Sequence, residues 1–167
     1  SNITGKLVLT AKYSPYIIKK DIVVAEKGEL EIVPGVALEM AENTGIIVRG
    51  RLKAAGKKTE MIYINPANPS KSWKNITFIN TKAENMLECV ALAGGGGSFV
   101  KIDDNQAVKA GGAVLLVNSR LSVSGCSFEL NNSGLGGALF AENSEITLAN
   151  NSFQKNKASQ EGGALYI

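Results

Sequence analysis

Gly111-Gly112-Ala113-Val114 recurs as Gly136-Gly137-Ala138-Leu139 and again as Gly162-Gly163-Ala164-Leu165. The spacing, about 25 residues, is that of a solenoid repeat. Between these blocks, Cys126-Ser127-Phe128-Glu129-Leu130-Asn131 returns at the same interval as Asn151-Ser152-Phe153-Gln154-Lys155-Asn156. A short alternating run precedes each, Leu121-Ser122-Val123 and Ile146-Thr147-Leu148, again one repeat apart. One repeat therefore reads as strand, turn, Phe strand, Asn turn and Gly-Gly-Ala strand. A single unit of this length cannot bury its own apolar face. Stacked units create a continuous core, each strand pairing in parallel with its counterpart one turn away. The pattern predicts an all-β fold, a right-handed single-stranded parallel β-helix, the hand following from the rule for parallel crossovers. It places Phe128 near Phe153 and Leu139 near Leu165. It assigns the glycine pairs ending in Gly112, Gly137 and Gly163 to corners with positive φ. Asn131, Asn132, Asn150 and Asn151 suit turns and amide ladders between coils. A β-sandwich or barrel would not need so faithful a repeat carrying the same turn residues.

The rest of the 167 residues extends this reading. Helical periodicity is nearly absent, and short alternating runs such as Leu30-Glu31-Ile32, Ile46-Ile47-Val48 and Ile62-Tyr63-Ile64 are punctuated by Gly, Asn, Pro and Ser. Roughly six coils over residues 26–167, behind an irregular N-terminal cap at 1–25, make one domain. The chain stops at Leu165-Tyr166-Ile167 within a predicted strand, as a fragment of a longer protein would. The 44% hydrophobic content excludes a disordered polymer, and no apolar run approaches the length of a membrane-spanning helix. The net charge of +3 comes from scattered lysines, which argues against a nucleic-acid partner. Histidine is absent, which removes most metal and acid–base designs, and no cofactor is expected. Cys89 and Cys126 suit either a disulfide or two buried thiols acting as small apolar residues.

Two stretches resemble known families. Residues 16–78 resemble the opening of many secreted right-handed β-helix proteins. The likeness rests on Gly28-Glu29-Leu30-Glu31-Ile32-Val33-Pro34-Gly35-Val36, on Gly45 to Gly56, and on the coil Ser72-Trp73-Lys74-Asn75-Ile76-Thr77-Phe78. Ser14-Pro15-Tyr16 looks like the lead-in strand of β-helix modules in animal cell-surface proteins. Residues 111–167 resemble the chlamydial polymorphic outer-membrane proteins, through the Gly-Gly-Ala-(Leu/Val) blocks and two Phe-x-x-Asn copies, Phe128–Asn131 and Phe153–Asn156. That second likeness implies an autotransporter passenger, secreted to the cell surface and adhering to host cells.

Candidates for chemistry are few. Asp103-Asp104 is similar to the adjacent aspartates of β-helical galacturonases, but the further Asp and the Gly-His-Gly element of those enzymes are missing. Glycoside hydrolysis needs carboxylates facing across a cleft, and neighbours on a strand point to opposite faces. Arg49, Arg51 and Lys53 read as a basic row able to hold an acidic glycan or an anionic surface, or as a solvated strand face. Trp73 reads as a core or capping residue, with sugar stacking as the sharper alternative. Gly94-Gly95-Gly96-Gly97 lacks the Lys-Ser/Thr of a phosphate loop and reads as a flexible bulge. That bulge, within 82–110, interrupts the repeat, and such departures often carry binding in solenoids. Four sequons begin at Asn2, Asn75, Asn131 and Asn150.

The expected function is an extracellular structural or adhesive module that presents a rigid surface to a host or neighbouring cell-surface protein or glycan. It is not expected to be an enzyme. The competing readings are a carbohydrate-active β-helix, lyase or glycosidase-like, with its active residues elsewhere, and a filament component associating head to tail.

Overall fold

The computed structural model describes residues 1–103 and 105–167. The chain winds through three parallel sheets in strict order. The first sheet stacks Asn2–Ile3, Ile22–Val24, Ile46–Val48, Ile76–Ile79, Val114–Val117, Leu139–Glu142 and Leu165–Tyr166. The second stacks Lys6–Leu9, Glu29–Ile32, Arg51–Ala55, Asn85–Glu88, Arg120–Ser124 and Glu145–Ala149. The third stacks Tyr16–Ile18, Ala37–Met40, Ile62–Pro66, Val90–Ala93, Ser127–Glu129 and Ser152–Gln154. The result is a parallel β-solenoid of six turns that begins a seventh. No described helix is long and apolar enough to cross a membrane.

Residues 1–25 are not an irregular cap. Asn2 pairs with Val23, Leu7 with Leu30 and Tyr16 with Leu38, so this stretch forms the first coil and opens the second. Its period-2 signal is weak because an end coil has a neighbour on one side only. Leu7, whose partner Leu30 is buried, stays 44% exposed, while Val8 is 40% exposed at the outward position that Glu31 holds one coil on.

Alternation puts one residue in two inside. Leu30, Ile32, Leu52, Ala54, Leu87 and Val123 fill the core from the second sheet, while Glu29, Glu31, Arg51 and Lys53 face out. The Phe128 and Phe153 rings stack at 4.8 Å between centroids and 6° between planes. Leu139 pairs with Leu165. Each fully buried side chain of this size contributes about 1.5–3 kcal/mol relative to exposure.

The corners explain the turn residues. Asn80, Asn118 and Asn143 form one row with φ of 52°, 48° and 47°, and Cys89, Gly125 and Asn150 a second with 49°, 61° and 55°. A third row is Gly94, Leu130 and Lys155, and a fourth is Gly111, Gly136 and Gly162. One left-handed residue per corner, repeated over the fourth, fifth and sixth turns, is a demand that Gly and Asn satisfy at least cost, though Leu130 and Lys155 meet it as well. The second glycine of the first two pairs answers a different demand. A Cβ on Gly112 would run into the Gly137 carbonyl oxygen, and one on Gly137 into that of Gly163. Only the third pair has positive φ at both members.

Polar ladders brace the same corners. The fully buried Asn131 accepts from the Gly95 N–H at 2.9 Å and donates to the Leu92 carbonyl at 3.1 Å, one coil back. It also donates to Asn156 Oδ1 at 3.0 Å, and Asn156 donates in turn to the Phe128 carbonyl at 2.9 Å. The two cysteines are buried and unpaired with each other.

Candidate functional site

The fourth coil is the longest. The path from Ile76 to its partner Val114 is half as long again as the path from Val114 to Leu139. Part of the 82–110 stretch stays on schedule as Asn85–Glu88 and Val90–Ala93. The surplus leaves the coil as an antiparallel hairpin, Ser98–Asp103 with Gln106–Ala110. This arm joins a fourth sheet with Asn132–Leu135 and Lys157–Glu161, but its register with the former holds only at Ala110 and Leu135. The four glycines at its root are tied down rather than flexible. Gly95 donates to Asn131, Gly96 to the Trp73 carbonyl at 2.9 Å, and Gly97 to the Lys74 carbonyl at 2.9 Å.

The arm has two faces. Val100 and Val108, paired across the hairpin, pack onto the outer side of the first sheet against Leu115, Val117, Phe140 and Tyr166. Leu115 and Phe140 point outward by alternation, yet this second layer leaves them 3% and 5% exposed. The Phe140 and Tyr166 rings stack at 5.1 Å. Phe99 and Lys109, the next pair, face solvent. Phe99 is 70% exposed, and Lys109 Nζ sits 5.5 Å from its ring centroid, within cation–π reach.

Two recesses flank this pair. One, of about 490 Å³, is lined by Ser72, Phe99, Lys109, Asn132, Ser133 and Ser159. The other, of about 310 Å³, is lined by Asn43, Lys74, Ser98, Phe99 and Lys109. The floor of the larger one carries the Ser133 hydroxyl, buried with no hydrogen-bond partner. Lys74 is held by Asp21 at 3.1 Å. A separate apolar recess of about 380 Å³ at the first coil, between Ile3, Leu9, Ile18 and Ile22, is the end of the stacked core.

The expected basic row does not stand as one. Arg49 is exposed at the corner after Ile46–Val48, off the strand that carries Arg51 and Lys53. Register sets Glu29 beside Arg51 and Glu31 beside Lys53, with Lys6 one strand further. Arg51 lies 3.6 Å from Glu29, Lys53 4.0 Å from Glu31, and Lys6 2.9 Å from Glu31. The hydrogen bond from Lys6 holds the Glu31 carboxyl below its usual range, and the same bond raises the Lys6 ammonium. The face is a mixed-sign ladder whose exposed pairs are individually weak.

Trp73 takes the core reading and not the sugar-stacking one. It is 1% exposed, and its Nε1–H donates to the Ala93 carbonyl at 2.7 Å, so no ring face is open to a ligand. It anchors the root of the arm instead. Asp104 and the Asp103 side chain lie outside the described residues. Among the described residues no group of three or more Cys, Asp or Glu could hold a metal ion. The sequence marked the 82–110 interruption but not Phe99 and Lys109 within it. Their alternation with Val100 and Val108 was the available signal.

Stacked repeats, ladder-braced corners and one arm define a parallel β-solenoid. Residues 152–167, which include Phe153, Asn156 and the last Gly-Gly-Ala block, match the Chlamydia polymorphic membrane protein repeat. The chain is also similar to Protein bark beetle of Drosophila melanogaster, at 33% identity over 72 residues, 43% of this chain. The match spans 2% of that protein's length. No solved structure matches the chain significantly.

Proposed function

We propose that the chain is an extracellular adhesive module of a cell-surface protein, and that it binds a host or neighbouring cell-surface partner through the arm. The observation that carries this reading is the arm itself. It is the one large departure from the repeat among the described residues, and it lifts an aromatic ring and a lysine into solvent above two recesses. The coils from which it rises are joined by backbone pairing and side-chain amide ladders, so binding here would need little ordering of the scaffold. The match to a repeat of chlamydial membrane proteins supports a surface location. In this reading the chain displays a surface and catalyses nothing.

The test couples the chain to beads and measures their retention by cultured animal cells. Chain-coated beads should be retained above uncoated beads, and Phe99→Ala should reduce retention by about tenfold, as loss of an interface anchor does. Arg51→Gln, on the ion-pair ladder, should leave it unchanged. Retention no better than that of uncoated beads would overturn the reading.

A further inference from the structure

We infer that the larger recess beside the arm is a saccharide site, and that its ligand is a glycan carrying carboxylate or sulfate groups. This rests on the adhesive reading and names the chemistry of its partner. Phe99 supplies a platform: an exposed ring on the hairpin, with Lys109 as its cross-strand partner. The C–H face of a sugar ring packs on such a surface, while its hydroxyls need polar partners alongside. Those partners are present. Ser72 and Ser159 offer exposed hydroxyls, Asn132 offers an exposed amide, and all three line the same recess as Phe99.

The recess wall is otherwise short of apolar groups, which is poor material for the dry centre of a protein interface. Ser133, which also lines the recess, adds a buried hydroxyl with no hydrogen-bond partner. Charge decides between neutral and acidic sugars. The contact that Lys109 makes among the described residues is the Phe99 ring, and no described carboxylate is paired with it. Its ammonium is therefore placed to meet an anion on a sugar already stacked against Phe99. Lys74, across the smaller recess, is engaged by Asp21 and contributes less.

Titration calorimetry with three oligosaccharides tests this: a hyaluronan hexasaccharide, a heparin-derived hexasaccharide and neutral maltohexaose. At low salt at least one acidic oligosaccharide should bind about tenfold or more tighter than maltohexaose, and the advantage should shrink at high salt. Phe99→Ala should weaken acidic binding by about tenfold. Lys109→Gln should erase the preference for acid while sparing residual neutral binding. Both side chains are at the surface of the arm, and an unchanged melting temperature checks that each variant folds. Arg51→Gln should bind as the unaltered chain does.

The saccharide assignment is overturned if no oligosaccharide binds at millimolar concentration, if binding survives Phe99→Ala and Lys109→Gln combined in one chain, or if Arg51→Gln is the change that abolishes it. Bead retention separates the two proposals. Retention that depends on Phe99 but survives removal of acidic glycans from the cells points to a protein partner. The adhesive reading then stands and the saccharide assignment falls. Oligosaccharide binding without cell retention has the opposite meaning.

Discussion

Cys126 and Asn151 occupy the same corner one coil apart and make the same two contacts. Asn151 Oδ1 accepts from the Cys126 N–H at 2.9 Å, and its amide donates to the Val123 carbonyl at 3.0 Å. One turn earlier, Cys126 Sγ accepts from the Val90 N–H at 3.5 Å and its S–H donates to the Leu87 carbonyl at 3.3 Å. Val123 and Leu87 are register partners, so the thiol stands where the next coil has an amide. This is a structural role that does not require a disulfide.

The thiol's titration should register that burial. Desolvation pushes Cys126 up to about 11. The unfolded thiol ionises about two units lower. Between roughly pH 9 and 11 the native chain therefore keeps a proton that the unfolded chain has lost, and stability falls with pH. The contribution is fully present below that window and amounts to at most about 2–3 kcal/mol. Urea midpoints of the unaltered chain and of Cys126→Ala should be compared across pH, so that only the thiol's contribution differs. Their difference should shrink as pH rises. A difference that stays constant would mean the thiol is not held protonated.

Asn131 should be the costliest single amide to lose. It is fully buried and bonds to the coil on either side. Asn131→Ala leaves the Gly95 N–H and the Leu92 carbonyl without this partner, at a cost of about 2–4 kcal/mol. The exposed neighbour Asn132→Ala should cost under about 0.5 kcal/mol. Denaturant midpoints of the two variants give the comparison.

Glycines should separate by what they face. Gly112→Ala meets the Gly137 carbonyl oxygen, a backbone atom that cannot move without shifting the next coil. A loss of about 2 kcal/mol or more is expected. Gly5→Ala meets nothing within 4 Å and should be nearly neutral. Melting temperatures that rank these two the other way would contradict the stacking at this corner.

Expression through a eukaryotic secretory pathway should sort the four sequons. Asn75 and Asn131 are 1% and 0% exposed, and a glycan at either is incompatible with the coil. Asn2 and Asn150 are exposed. Peptide mapping of folded, secreted protein should find glycan at Asn2 and Asn150 and not at Asn75 or Asn131.

The fold was legible where side chains repeat at one spacing. Phe128 over Phe153 and Leu139 near Leu165 follow from nearly equal sequence intervals, because equal intervals keep equal registers. The first coil was harder to read, since the apolar Val8 stands at an outward position between Leu7 and Leu9 and hides the alternation. The basic row failed as a reading for a different reason. Glu29 and Glu31 stand one whole coil before Arg51 and Lys53, and only the register reveals that each acid lies beside a base. Trp73 gave no sign of which face it would show, because the groups that cover it come from the root of the arm. The second apolar layer was equally hidden. Leu115 and Phe140 sit at outward positions of their strands and are buried by a second layer built from the hairpin's Val100 and Val108, from Leu135 and from the Tyr166 ring.

The solenoid also works as a ruler. Successive coils are separated by one strand spacing, about 4.8 Å, whether the intervening chain is a plain repeat or carries the arm. Adding or removing a whole repeat beyond the arm would thus change the distance between the arm and everything downstream in steps of that size. Each Asn ladder and glycine row would close again on its new neighbour. Reach and ligand contact are set by separate parts of the sequence, so a lineage could lengthen the rod without disturbing what its arm holds.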